Sequence, residues 1–181
     1  MKEKLIFSVL VDNQSGVLQR VASLFSRRGY NIISLTVSET EDPAFSRMTI
    51  VSEAKHDMAR QIVMQLLKLE IVKKVEVLTE SNSVSAELLL IKVHAKGLEE
   101  KNALLELNRK FGARVIDVTL ESFTLELTGR TEIIDQFIGE ISDFGIIEMA
   151  RTGERCLKEA QIHSRKTIKG HVLIVHVSVT A

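Results

Sequence analysis

The sequence predicts an α+β fold built from two ferredoxin-like βαββαβ modules in tandem, each an antiparallel sheet with both helices on one face. Two observations carry this. Apolar runs of strand length alternate with stretches of 3.6-residue periodicity in the order strand, helix, strand, strand, helix, strand, and that order occurs twice. Between the copies lies Glu80-Ser81-Asn82-Ser83-Val84-Ser85, a polar, Ser-rich stretch that reads as a linker. The expected organisation is a first module over residues 1–80, a second over 86–151, and a tail over 152–181 whose role the pattern leaves open.

In the first module, residues 4–11 are apolar and β-rich, and Asp12-Asn13-Gln14-Ser15-Gly16 interrupts them, with Ser15 placed to cap a following helix. Val17, Leu18, Val21, Leu24 and Phe25 form the apolar stripe of that helix, and Gly29 ends it. Residues 30–39 and 45–52 read as a hairpin across Thr40-Glu41-Asp42-Pro43-Ala44. Met58, Ile62, Leu66 and Leu69 mark a second helix, and residues 72–78 a fourth strand. The second module repeats this with a strand at 88–95, a helix marked by Ala103, Leu104, Leu107 and Phe111, and strands at 114–119 and 123–128. A helix marked by Ile134, Phe137, Ile138 and Ile141 and a strand at 146–150 complete it.

The first strand carries apolar side chains on both faces. Leu5, Phe7, Val9 and Val11 point one way, and Ile6 and Leu10 the other with Ser8 between them. A half-exposed strand would alternate more cleanly, so the helix-free face or the edge needs cover from the second module or from another subunit, homodimerisation being the economical version.

Composition narrows the function classes. With 24 basic and 24 acidic residues the chain has no net charge, and with one Tyr and no Trp it lacks stacking platforms, so nucleic acid is not an expected partner. No apolar run approaches the length of a membrane span, and neither a membrane partner nor a secretory leader is expected. The lone Cys156 cannot form an internal disulfide, which fits a reducing, cytoplasmic setting.

The stretch from Ser8 to Leu18 (SVLVDNQSGVL), continued by Leu24-Phe25-Ser26-Arg27-Arg28-Gly29-Tyr30-Asn31-Ile32, resembles the signature of acetolactate synthase (acetohydroxyacid synthase) small subunits. The likeness continues through Ser34-Leu35-Thr36-Val37, Asp42-Pro43, Ser46-Arg47-Met48-Thr49-Ile50, Ile116-Asp117-Val118-Thr119 and Leu127-Thr128-Gly129, covering roughly residues 4–153. It implies an amino-terminal ACT domain, a ligand-sensing ferredoxin-like module, in a non-catalytic regulatory subunit. Such a subunit binds and activates a separate catalytic (large) subunit and confers feedback inhibition by valine in branched-chain amino-acid synthesis. The resemblance implies no cofactor on this chain, and thiamine diphosphate, FAD and Mg2+ on the catalytic partner.

The effector positions that match are Asn13, Gly16 and Asn31, with Asn31 supplied across a dimer interface. Their chemistry suits a free amino acid. A strand-to-helix loop offers unpaired N–H groups and the positive end of a helix dipole to a carboxylate. Gly16 permits close approach to the backbone, and the carboxamides of Asn13 and Asn31 can meet an ammonium or a carboxylate. Outside the motif, an Asn or a Gly in such a loop would simply be a turn residue.

Other chemistries find little support. There is neither a GxGxxG nor a GxxxxGK[ST] loop, and His56, His94, His163, His171 and His176 form no metal signature. Asp42, Asp57, Asp117 and Asp143 sit beside turns or helix starts as capping groups rather than as an acid–base pair. Cys156, flanked by Arg155 and Lys158, has no activating His in a motif and reads as an inert thiol. Small phosphatases share the topology but need an Arg on their anion loop, which is absent from Asp12–Gly16. The alternative of another class is a free-standing ACT-domain sensor acting on a different partner. In the tail, Arg155, Lys158, Arg165, Lys166 and Lys169 read as a solvated helix face, and residues 172–179 as an apolar strand.

Overall fold

A computed structural model describes residues 3–55, 57–79 and 81–159. It contains strands β1 (Glu3–Asp12), β2 (Asn31–Glu39), β3 (Phe45–Ala54) and β4 (Val72–Leu78), with helices α1 (Val17–Arg28) and α2 (Met58–Leu66), in the first half. The second half contains β5 (Ser83–His94), α3 (Gly97–Phe111), β6 (Arg114–Val118), β7 (Ser122–Gly129), α4 (Thr131–Ile141) and β8 (Ile146–Arg151). A last strand, β9 (Arg155–Lys158), follows. All strand pairs are antiparallel, with orders β2-β3-β1-β4 and β6-β7-β5-β8, the ferredoxin-like arrangement expected twice over.

Each sheet buries one face under its helices. Phe7, Val9 and Val11 of β1, Met48 and Ile50 of β3, Val21 and Phe25 of α1, and Ile62 and Leu66 of α2 form one core. Leu89, Ile91 and Val93 of β5, Leu125 of β7, Leu104 of α3, and Ile134 and Phe137 of α4 form the other. Burial of side chains this large contributes about 1.5 to 3 kcal/mol each. Gly29 closes α1 in the left-handed region at φ 68°, as its position predicted. Two stripe residues depart from expectation: Leu18 is 46% exposed, and Ala103 also faces solvent.

Four expectations are corrected. Ser15 is not the cap of α1; Gly16 occupies that position at φ 81° with no side-chain cap. Asp117 lies inside β6 rather than at a turn. The expected linker is strand from Ser83 onward, because β5 begins five residues before the apolar run that announced it. The basic start of the tail is strand rather than helix: β9 pairs Arg155 to Lys158 with Ala86 to Ser83 of that same extension. Of the tail, residues 160–181, including the expected apolar strand at 172–179, lie outside the described residues.

The β5–β9 ribbon explains the two-faced apolar pattern of β1. On the helix-free face Ile6 and Val51 pair across β1 and β3, Ile6 and Leu78 across β1 and β4, and Cys156 of β9 packs among them in a buried cluster. The cover over Ile6 is therefore supplied within the chain. Nearby, Lys4 pairs with Glu154 at 2.7 Å, and Gly153, at φ +75°, lies so close to Ser34 that a Cβ would come within 3.0 Å of it. Among the described residues, no helix is long and apolar enough to cross a membrane.

Candidate functional site

The loop between β1 and α1 is held rigidly from below. Asp12 is ion-paired with Lys73 at 2.9 Å, and its N–H donates to the carbonyl of Ile71. Asn13 is tied to the β2–β3 hairpin: its N–H donates to the carbonyl of Ala44, and its Nδ2 donates to the carbonyl of Pro43 at 2.9 Å and to Oε2 of Glu39 at 3.0 Å. Its Oδ1 accepts from the Ser46 hydroxyl at 2.9 Å. Both amide protons of Asn13 are thus committed, and one lone pair of Oδ1 remains. Glu39 and Ser46 were not anticipated as parts of the site, although the β2–β3 register places them directly opposite each other.

Above this base the backbone is open. Among the described residues, the N–H groups of Ser15, Gly16, Leu18 and Gln19 have no acceptor. Gly16 faces free space, with nothing within 4 Å of where a Cβ would stand. The first turn of α1 carries no acidic residue; of the carboxylates beside the loop, Asp12 is ion-paired with Lys73 and Glu39 accepts from Asn13 Nδ2. Unpaired amides at the positive end of a helix favour an anionic group such as an amino-acid carboxylate.

Asn31 is elsewhere. It opens β2 opposite Glu53, is exposed, and its carbonyl accepts from the buried Ser52 hydroxyl at 2.7 Å. Glu39, which holds Asn13, ends the same strand, so the two Asn residues lie at opposite ends of β2, about 20 Å or more apart at roughly 3.3 Å per residue. One chain cannot place both on one small ligand. β2 is an edge strand, with Ile33 55% and Val37 41% exposed along it.

Comparison with known proteins gives this loop its context. Residues 7–74 match the model of the AHAS small subunit-like ACT domain, and residues 86–159 match that of the small subunit of acetolactate synthase. A probable acetolactate synthase small subunit from Methanothermobacter thermautotrophicus is 44% identical over 148 residues, spanning 82% of this chain and 88% of that protein. The chain belongs to the acetolactate synthase small-subunit family. Another relative, the isozyme 3 small subunit of Escherichia coli acetolactate synthase, is 42% identical across 82% of this chain and 91% of its own length. The crystal structure of the small subunit from Thermotoga maritima superposes with a TM-score of 0.82 at 35% identity, covering 88% of this chain and 99% of that one. The family likeness read from the β1–α1 motif holds, and the β1–α1 loop lies in the ACT-domain match.

Cys156 is buried, and burial, with Glu154 adding to it, pushes its thiol up to about 11, so adjacent Arg155 and Lys158 do not activate it. Among the described residues, no group of three or more His, Cys, Asp or Glu is placed to hold a metal ion.

Proposed function

We propose that this member of the small-subunit family is the regulatory subunit of acetolactate synthase, non-catalytic by itself, which activates a catalytic large subunit and makes it inhibitable by valine. The names of its relatives as small subunits of that enzyme support a larger catalytic partner. The observation that carries the sensing role is the open, amide-lined space at Gly16 in the ACT module.

In this reading the valine carboxylate sits on the free amides at the start of α1, and its ammonium meets the remaining lone pair of Asn13 Oδ1. A second copy, docked along the β2 edge, contributes Asn31. The module over residues 1–80 senses and dimerises. The module over 86–151 contacts the catalytic chain, for which the exposed Val115, Ile116 and Val118 of β6, with Leu120 beyond it, offer apolar surface. Thiamine diphosphate, FAD and Mg2+ belong to the catalytic partner, and the complex works in the cytoplasm.

Mixing the full chain with a purified catalytic subunit and measuring acetolactate formation with and without valine tests this reading. Activation by this chain, reversed by valine, is the expected result. Acetolactate formation by this chain alone, or no change in the partner's rate, would overturn it.

A further inference from the structure

The first sheet ends in an edge that no strand among the described residues pairs. In the order β2-β3-β1-β4, β4 bonds to β1 on one side only, and its other row of N–H and C=O groups faces outward. Such an edge is a template for another strand. Two features mark it as unfinished. Val75 and Val77, opposite Val9 and Phe7 on the helix-covered face, pack against the core yet are only half-buried. The lysines that would guard an edge are turned back onto their own sheet: Lys73 pairs with Asp12 at 2.9 Å and Lys74 with Glu76 at 3.1 Å.

The chain itself returns to this edge. The Glu159 N–H donates to the carbonyl of Asn82 at 2.8 Å, and the Asn82 N–H donates to the carbonyl of Thr79, the residue after β4, at 3.1 Å. Lys158 reaches Glu76 of β4 at 3.5 Å. Residues 160–181 therefore set out from beside the end of β4, and those at 160–171, at about 3.3 Å each, are chain enough to turn and follow it. The run at 172–179 has the pattern this edge lacks. Leu173, Val175, Val177 and Val179 make one alternate face wholly apolar, matching Val75 and Val77. The other face passes from Val172 and Ile174 to His176 and Ser178, as the row it would meet passes from Leu78 to Glu76 and Lys74. The run holds no Asp, Glu, Lys, Arg or Pro to oppose pairing.

We propose that residues 172–179 dock along β4 of the same chain, antiparallel to it, as a fifth strand of the first sheet. Their apolar face extends the core beneath α2, which packs against β4, and with β4 covered, β2 is left as the open edge of that sheet.

Hydrogen exchange in the full chain reads this docking without valine or a catalytic partner. The β4 amides that do not donate to β1 should exchange about ten-fold or more slower than unpaired amides, equally in concentrated and dilute protein. They should lose that protection in the double variant Val175→Pro/His176→Pro, because adjacent residues point their N–H groups to opposite sides and one pairing donor is lost in any register. The amides of β1 and β5 should stay as slow as in the wild type; Val175→Lys, which keeps every N–H, replaces the double variant if they do not. Unprotected β4 amides in the wild type overturn the proposal. So does protection that the tail variants leave unchanged, that they remove from β2, β6 or β8 instead, or that dilution abolishes, as a second copy's strand would give.

Discussion

Replacing Arg151 with Met should destabilise the second module at neutral pH by about 2 to 3 kcal/mol, and by clearly less in acid. Glu87 of β5 is only 3% exposed, yet it carries a carboxylate. Arg151 answers it with two hydrogen bonds, Nε to Oε1 at 2.7 Å and Nη2 to Oε2 at 2.9 Å, and Thr131 adds a third at 3.3 Å. Removing one partner of a buried pair costs about 3 to 5 kcal/mol. The Arg151 side chain is 30% exposed, so water can enter the vacated space and the cost falls just below that range, to about 2 to 3 kcal/mol. The additional contact with Asp135, at 2.8 Å and more than half exposed, contributes little, about 0 to 1 kcal/mol.

The pH dependence follows from the hydrogen bonds of Arg151, which hold the Glu87 carboxyl below its ordinary 4.5 against the opposing effect of burial. A depressed carboxylate stabilises the fold above that ordinary value and loses its contribution as pH falls through the lowered one. In Arg151→Met only burial remains, so Glu87 takes up a proton more readily and the penalty shrinks on acidification. Urea unfolding at pH 7 and pH 4 should show the loss concentrated at pH 7, and adding Glu87→Gln should recover most of it. An equal loss at both pH values, or one below about 0.5 kcal/mol at pH 7, would refute the uncompensated-charge argument.

Valine should bind about ten-fold more weakly to Gly16→Val, Asn13→Ala and Asn31→Ala, since one hydrogen bond to a charged group is worth about 1.5 to 3 kcal/mol, while activation of the catalytic partner persists; calorimetry with reconstituted assays reads both. Gly16→Val also forces a side chain into φ 81°, costing about 1 to 2 kcal/mol, a loss visible without ligand. In sedimentation, Ile33→Lys or Val37→Lys on the exposed β2 edge should convert a dimer to a monomer, whereas a charge at the buried Ile6 should lower stability instead; a wild-type chain that is monomeric at high micromolar concentration would remove the shared site. Cys156 should react with a thiol reagent at pH 8 far more slowly in the folded chain than in urea, because burial both shields it and holds it protonated.

The repeated strand–helix pattern was legible because apolar runs of strand length alternate with helical apolar periods in the same order twice, and β4 was placed to the residue. Its failures lie where pairing, not composition, decides structure. Ser83, Val84 and Ser85 are strand because Arg155 to Lys158 come back to pair with this stretch, and neither segment announces the other in sequence. Likewise Glu87 and Arg151 are 64 positions apart, so their ion pair is invisible until the sheet forms. Within the β1–α1 loop, Asn13 and Gly16 could be singled out from their motif. The commitment of the Asn13 amide protons to Pro43 and Glu39 depends on how the hairpin folds back, which periodicity does not encode.

The early start of β5 changes the mechanics of the whole chain. One continuous strand runs from the sheet of the second module, where it pairs with β7 and β8, out to the ribbon whose Cys156 is seated in the first sheet. The junction is consequently welded rather than hinged. To swing one half against the other, the chain must either unzip the Ser83–Lys158 ladder or draw Cys156 out from among Ile6, Val51 and Leu78. A displacement arriving at the first sheet should therefore travel along β5 as along a stiff lever, tilting the second sheet instead of being absorbed by slack chain between them.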